Sequence, residues 1–160
     1  MKTAIVYYSQ SMNTKDTAER IAALLEADLI EIQPKDKYPE KGVRKFFWCG
    51  KSAVMGEKPE LAPYHIDGEK YDRIIIGTPV WASSFTPPIR TFIDENPFVK
   101  EKVAGIFVCY SGGGADKAIR KLETYLGRDH IEPQLILIDP KTKPSKENEK
   151  KVAEFVSKLK

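Results

Sequence analysis

The sequence predicts an α/β fold of the doubly wound class, a three-layer sandwich in which helices cover both faces of a parallel sheet. Three observations lead to this prediction. The chain has 160 residues, 41% of them hydrophobic and 31% charged, which is typical of one globular domain over residues 1–160. Short apolar segments alternate with amphipathic segments of helical period from end to end. Strands that alternate with helices need crossover connections, and such connections make the strands parallel.

Five segments have the composition of buried strands, because they are short, β-branched or aromatic, and bounded by polar residues or proline. The predicted strands are 2–8, 29–33, 72–78, 102–110 and 134–138. We expect them to form a sheet of order 2-1-3-4-5. None approaches the length of about 20 apolar residues that a membrane-spanning helix needs, so we expect no membrane association.

The segments between these strands carry apolar residues at helical spacing. Residues 14–26 place small and aliphatic residues on one face: Ala18, Ile21, Ala22 and Leu25. Pro87 and Pro88 suit the start of a later helix. Gly127 is a plausible C-terminal cap, and Ser145 can cap the last helix.

Residues 36–69 give a weaker pattern. Val43, Phe46, Phe47 and Val54 could share one side of a helix, whereas residues 59–71 read as a loop. Trp48 could pack inward or lie at a partner surface, and the sequence leaves both alternatives open.

Charge and cysteine content exclude several function classes. The net charge is +3, and residues 141–160 alone contribute +4, so the basic excess belongs mostly to one terminal helix. Residues 35–58 are also basic, with seven Lys or Arg against three Asp or Glu. Because charge runs usually mark solvated faces, we expect no nucleic-acid partner. Cys49 and Cys109 lie far apart and outside any Cys-x-x-Cys pair, so we expect no metal site and a cytoplasmic protein.

Ligands of open parallel sheets bind beyond the carboxyl ends of the strands, where the strand order reverses. In order 2-1-3-4-5 this point lies between the first and third strands. The loop after the first strand is rich in hydroxyl and amide groups: Ser9, Gln10, Ser11, Met12, Asn13 and Thr14. Such a loop before a helix start suits a phosphate group. The alternative is simple N-capping, which needs only one such residue.

The loop after the third strand comprises Thr78, Pro79, Val80, Trp81, Ala82 and Ser83, followed shortly by Phe85. Trp81 and Phe85 are costly to expose, and such rings stack on flat aromatic ligands. In the alternative interpretation, Trp81 packs down as a lid on the core.

The loop after the fourth strand comprises Ser111, Gly112, Gly113, Gly114 and, beyond Ala115, Asp116. Glycines let the backbone approach a planar ring closely, although a Gly-rich turn before a helix can also be merely flexible. Taken together, the three loops suit a ligand that has a phosphate at one end and a flat polar ring at the other.

These loops resemble those of the flavodoxin family. The resemblance covers nearly the whole chain and rests on "IVYYSQSMNTKDTAERIA", "YDRIIIGTPVWASSFTPPIRTFI" and "VCYSGGGADKAIRKLE". It implies a flavodoxin-like fold and non-covalent FMN binding by the three loops. It matches the phosphate loop to Ser9, Ser11, Asn13 and Thr14, with Met12 where glycine is usual. It also implies that Trp81 stacks on the isoalloxazine and that residues 112–114 contact its pyrimidine edge.

The resemblance implies an electron-transfer protein that needs no catalytic acid or base. Its expected partners are redox proteins or small quinone-type acceptors, and it would be a monomer or a homodimer. The alternative is an NAD(P)H-dependent FMN or quinone oxidoreductase on the same fold. Two departures favour that alternative: single-electron carriers of the family are typically acidic, and they commonly have glycine where this chain has Ala82-Ser83-Ser84. A third interpretation is an interaction module without flavin, supported only by Met12.

Other proteins of similar layout need residues that this sequence lacks. A receiver domain needs acidic residues after the first strand, where Ser9-Gln10 stands, and a phosphorylatable Asp after the third, where Thr78-Pro79 stands. A low-molecular-weight phosphatase needs a cysteine in the first loop. Neither Gly-x-Gly-x-x-Gly nor Gly-Lys-Ser/Thr follows the first strand, which excludes dinucleotide and P-loop sites.

Overall fold

Five strands form the sheet in the computed structural model, which describes residues 1–40 and 42–160. The strands are β1 (Thr3–Tyr7), β2 (Asp28–Glu31), β3 (Arg73–Pro79), β4 (Val103–Tyr110) and β5 (Gln134–Ile138). Their order is β2-β1-β3-β4-β5, and every neighbouring pair is parallel. The predicted fold class and strand order are therefore confirmed, with strand ends differing by up to two residues.

Six helices connect or follow these strands in the described residues. They are α1 (Asn13–Leu25), α2 (Gly42–Val54), α3 (Pro87–Glu95), α4 (Val99–Lys102), α5 (Ala115–Tyr125) and α6 (Lys146–Ser157). The predicted end signals are confirmed. The two prolines open α3, and Ser145 Oγ accepts a hydrogen bond from Asn148 N at 3.0 Å. Gly127 follows α5 with φ +71°, and its N–H donates to Thr124 O. The single turn α4 has no counterpart in the sequence prediction.

Alternating side chains of the strands divide the core into two clusters, one on each face of the sheet. On β3, Ile74 and Ile76 pack toward α2, α3 and α5, whereas Ile75 packs toward α1 and α6. All three are fully buried. The apolar runs of the sequence are continuous because both faces of a parallel sheet are covered.

Helix α2 occupies residues 42–54 of the ambiguous segment 36–69. Cys49 and Ala53 on its inner side are buried in the core. Val43, Phe47 and Val54 do share one side of the helix, but that side faces solvent. The side chain of Phe46, grouped with them in the sequence, lies outside the described residues. Residues 59–71 form the predicted loop, which is tied to the chain by a bridge between Pro34 and Leu61. In the described part of the chain, no helix is both long and apolar enough to cross a membrane.

Gly77 on β3 packs closely against β4 near the carboxyl ends of the strands. It pairs in register with Phe107 on β4, and a Cβ at Gly77 would lie only 2.6 Å from Phe107 Cε1. We expect Gly77→Ala to lower the free energy of unfolding by roughly 1–3 kcal/mol, because the ring must leave its site. Urea denaturation measures this loss. A second Phe107→Leu substitution should recover at least about 0.5 kcal/mol of it, and strictly additive losses would contradict the packing argument.

Candidate functional site

A cavity of about 490 Å³, which we term the main cavity, opens at the carboxyl ends of β1, β3 and β4. This is the point where the strand order reverses, as predicted. Eleven of the residues predicted from the sequence line it: Gln10, Ser11, Asn13, Pro79, Val80, Trp81, Ala82, Ser83, Ser111, Gly112 and Gly113. The three loops that looked unusual in the sequence therefore meet at one site.

Six predicted residues do not line this cavity, namely Ser9, Met12, Thr14, Thr78, Gly114 and Asp116. Ser9 and Met12 instead line a neighbouring cavity of about 310 Å³. Thr78 is fully buried and braces its loop, since its Oγ1 accepts from Thr86 N at 3.2 Å and lies 3.0 Å from Thr86 Oγ1. Asp116 is exposed in the first turn of α5.

The N-terminus of α1 presents backbone N–H groups to the first loop. Ser9 Oγ accepts from Lys15 N at 3.1 Å. No side chain caps the helix at Met12, and the N–H groups of Asn13 and Thr14 have no partner among the described residues. Free N–H groups at the positive end of a helix dipole attract an anion. Simple capping by the loop's own hydroxyls thus leaves two donors for a ligand.

Met12 occupies a backbone conformation that explains why glycine is usual at this position. Its φ is +72° and its ψ is −8°, in the left-handed region. The side chain is 43% exposed and lines the smaller cavity rather than the larger one. A methionine here therefore strains the backbone without filling the main cavity.

The loop after β3 turns through Ala82 and Ser83, which both have positive φ, +49° and +57°. Trp81 N donates to Ser84 O at 2.9 Å, and Ser84 N donates to Trp81 O at 3.0 Å. These bonds and angles define a two-residue turn of type I′, which glycine and asparagine normally favour. The turn holds its two residues against the cavity.

Trp81 is 8% exposed and packs edge to face against two tyrosines. Its ring centroid lies 5.6 Å from that of Tyr8 and 5.1 Å from that of Tyr38. The ring is thus largely a lid on the core, the alternative left open by the sequence, but it still lines the cavity. Its stacking on a ligand stays a prediction. Phe85 is 1% exposed and packs against Tyr125.

The three glycines after β4 differ in what the fold requires of them. Gly114 has φ +83°, and a Cβ there would lie 2.8 Å from Ser83 Cα. Gly112 and Gly113 have no such conformation, and a Cβ on either would meet no atom within 4 Å. Folding alone therefore explains Gly114. The other two leave open backbone beside the cavity, where a ligand can approach.

Five lining residues escaped the sequence analysis: Lys45, Cys49, Gly50, Cys109 and Tyr110. The first three come from α2, in the segment with the weakest pattern. Gly50 carried a usable signal, since glycine inside a helix costs about 1 kcal/mol relative to alanine. Its missing Cβ would lie 3.8 Å from Ala82 Cβ, an ordinary contact. Lys45 is the one charged side chain among the residues described as lining this cavity.

Both cysteines are buried beside the cavity, where burial disfavours the thiolate form. Burial raises the pKa of the Cys109 thiol to about 11 and raises the pKa of the Cys49 thiol above its ordinary value. Cys49 Sγ donates to Gln10 Oε1 at 3.8 Å, and Cys109 Sγ lies 3.5 Å from Thr17 Oγ1. Because only a thiolate attacks or ligates well, these thiols pack and position rather than react. No group of three or more metal-ligating side chains occurs in the part of the chain that the structure describes.

The sheet order and this three-loop cavity define a flavodoxin-like flavoprotein fold. The family model for flavodoxin matches residues 2–159. The chain therefore belongs to the flavodoxin family.

Solved structures give the same fold. A flavoprotein from Lactobacillus acidophilus NCFM in complex with FMN has 25% identity and a TM-score of 0.69, over 88% of this chain and 94% of that one. A protein from Bacteroides eggerthii DSM 20697 has 18% identity and a TM-score of 0.76, over 99% and 97%. Rubredoxin oxygen:oxidoreductase from Desulfovibrio gigas has 13% identity and a TM-score of 0.59, over 98% of this chain and 34% of that one. No curated protein matches the sequence.

The distinction between the glycines can be tested by substitution. We expect Gly114→Ala to lower the free energy of unfolding by roughly 1–3 kcal/mol, because its Cβ meets Ser83 and its φ is positive. Gly112→Ala is the matched control and should change stability by less than about 0.5 kcal/mol. Urea denaturation without ligand measures both. Equal losses would show that the loop needs all its glycines for folding.

The strain at Met12 predicts an unusual gain from glycine. We expect Met12→Gly to raise the free energy of unfolding by about 0.5 kcal/mol, since relief of left-handed strain exceeds the added entropy of the unfolded chain. Glu19→Gly, at an exposed position inside α1, should instead cost about 1 kcal/mol. Thermal or urea unfolding gives both values, and a clear loss in Met12→Gly would contradict the strain.

Proposed function

We propose that this chain binds FMN in the main cavity and transfers electrons through it. One observation carries the proposal: a single cavity is lined both by Asn13, at the N-terminus of α1, and by Gly112 and Gly113 of the β4 loop. An anionic group fits the first end and a planar ring the second. The FMN complex of the Lactobacillus acidophilus flavoprotein supports the assignment.

The residues of the cavity fit the two ends of this cofactor. The N–H groups of Asn13 and Thr14, with the hydroxyl of Ser11, would hold the phosphate. Gly112 and Gly113 would offer backbone groups to the ring, and the Ala82–Ser83 turn would fix its position. When bound, the flavin supplies the redox chemistry.

The chain itself binds, orients and shields the cofactor. None of the residues described as lining the cavity is Asp, Glu or His, and the raised pKa values of Cys49 and Cys109 keep both thiols protonated at neutral pH. The residues described as lining the cavity thus offer no carboxylate, imidazole or thiolate as an acid or base. Lys45 places one positive charge beside the cavity, which favours added negative charge there. These features suit electron transfer better than acid–base catalysis.

The NAD(P)H-dependent oxidoreductase remains a second candidate because of the Ala82–Ser83 turn. Rotating the peptide between these residues would convert the type I′ turn to type II′, which requires glycine at its first central position. Ala82 therefore opposes a rotation that family members with glycine make easily. If the rotation does not occur, one-electron reduction of the flavin loses the stabilisation that the rotation gives. This favours two-electron hydride chemistry.

Loading and reducing the protein tests both candidates. We expect the purified protein to bind FMN tightly and, on stepwise photoreduction, to show a transient long-wavelength absorption band of a one-electron carrier. Direct bleaching, together with steady NAD(P)H oxidation in the presence of a quinone, would establish the two-electron alternative instead. Failure to bind FMN would overturn both.

Gly112→Ala separates cofactor binding from folding. We expect this variant to bind FMN at least about tenfold more weakly, equivalent to about 1.4 kcal/mol, because its Cβ occupies space that the ring needs. FMN titration followed by fluorescence gives the affinity. The unfolding control described above shows whether the apoprotein is intact, and unchanged affinity would move the ring away from this loop.

A further inference from the structure

Helix α2 has an outer face that the cofactor cavity does not use. We define the α2 outer face as Val43, Arg44, Phe47, Trp48 and Lys51, which lie within one side of the helix at its 3.6-residue period. All five side chains are exposed to solvent. The opposite side of the same helix carries Cys49 and Ala53 into the core, so the helix cannot rotate to hide its outer face.

The aromatic residues of this face are ordered and open. Phe47 is 61% exposed and Trp48 is 44% exposed. Their rings pack edge to face with centroids 5.8 Å apart, and Lys51 Nζ lies 5.3 Å from the Trp48 ring. Clustered exposed aromatics beside cations are the composition of binding hot spots rather than of ordinary surface. We therefore expect a partner molecule to cover the α2 outer face.

The position of the face relates it to the cavity. Lys45, Cys49 and Gly50 on the inner side of α2 line the proposed FMN site. One helix, about 10 Å across, separates a molecule seated on the outer face from the cofactor. A redox protein docked there would lie close enough to exchange electrons with it, an inference that rests on the proposed function.

The charge of α2 indicates which kind of surface can bind the α2 outer face. Residues 42–54 contain three basic residues and no acidic one. In the described part of the chain, no carboxylate lies within 4 Å of Arg44 or Lys51. An acidic surface would therefore complement this face without breaking an existing ion pair.

Two other occupants fit less well. In a twofold dimer, the α2 outer face would oppose itself and bring like charges together. An anionic membrane is recognised by clusters of about 4–8 basic residues, more than α2 carries. The neighbouring Lys35 and Lys58 are already paired with Glu60 and Asp94, at 3.4 and 2.6 Å.

We propose that the α2 outer face is the docking site of an acidic one-electron donor protein. Arg44 and Lys51 attract the acidic surface, and Phe47 and Trp48 form the apolar centre of the contact. One electron leaves the reduced metal centre of the donor, which is oxidised, and enters the FMN of this protein, which is reduced. No covalent bond forms or breaks.

The test measures reduction of the FMN-loaded protein by a reduced acidic [2Fe–2S] ferredoxin in a stopped-flow spectrophotometer. We expect the double variant Arg44→Glu/Lys51→Glu to lower the bimolecular rate constant by roughly tenfold and to reverse its salt dependence. The matched control is Lys150→Glu/Lys158→Glu on and beside α6, an equal charge change at exposed positions on the other face of the sheet. This control should keep the wild-type salt dependence of the rate constant, with faster reduction at low salt than at high salt.

A binding measurement separates this proposal from the proposed function. The wild-type apoprotein should bind the immobilised oxidised ferredoxin at low salt, and Trp48→Ser and the α2 charge variant should bind more weakly. If the ferredoxin binds but FMN is not retained, the proposed function and electron transfer to FMN fail, whereas the α2 outer face remains a binding surface for the acidic protein. If FMN is bound and reduced but the α2 and α6 variants behave alike, or if wild type shows no salt-sensitive binding, the docking site is wrong. Sedimentation as a dimer lost in Trp48→Ser, or binding to phosphatidylserine vesicles in place of ferredoxin, would likewise overturn it.

Discussion

The pairing of β1 with both β2 and β3 is the constraint on which the rest of this structure depends. From β1 the chain passes to α1 on one face of the sheet, and from β3 it passes to α3 on the other. The two loops must therefore leave the sheet edge in opposite directions. A crevice between them is unavoidable, and the main cavity occupies it.

Three of the five non-glycine residues with positive φ in the described part of the chain lie around that crevice. Met12, Ala82 and Ser83 all have positive φ without being glycine, a conformation that costs of order 1–2 kcal/mol per residue. The loops can hold these angles because the strands that end there, β1 and β3, are buried on both faces. The rigid ends of β1 and β3 thus support the strained turns, and these turns direct backbone groups toward the main cavity.

Helix α2 lies between the main cavity and solvent. Its inner side supplies Lys45, Cys49 and Gly50 to the cavity wall, and its outer side carries an aromatic pair that solvent reaches. The same helix therefore sets the local charge beside the cofactor site and the character of the surface above it. Electron carriers of the family are typically acidic, whereas this chain has a net charge of +3. Part of that difference lies in α2, which has three basic residues and no acidic one.

The sequence by itself determined the fold class, the strand order and three of the four walls of the cavity. Buried strands such as β3 and positive-φ positions such as Gly114 leave local signals, because burial and positive φ restrict which residues are allowed at each position. Only the tertiary structure placed α2 as the fourth wall, turned the Trp81 ring into the core, and separated Gly114 from Gly112. These features depend on contacts between residues far apart in the chain, such as Gly50 with Ala82 and Gly114 with Ser83, and no local pattern encodes such contacts.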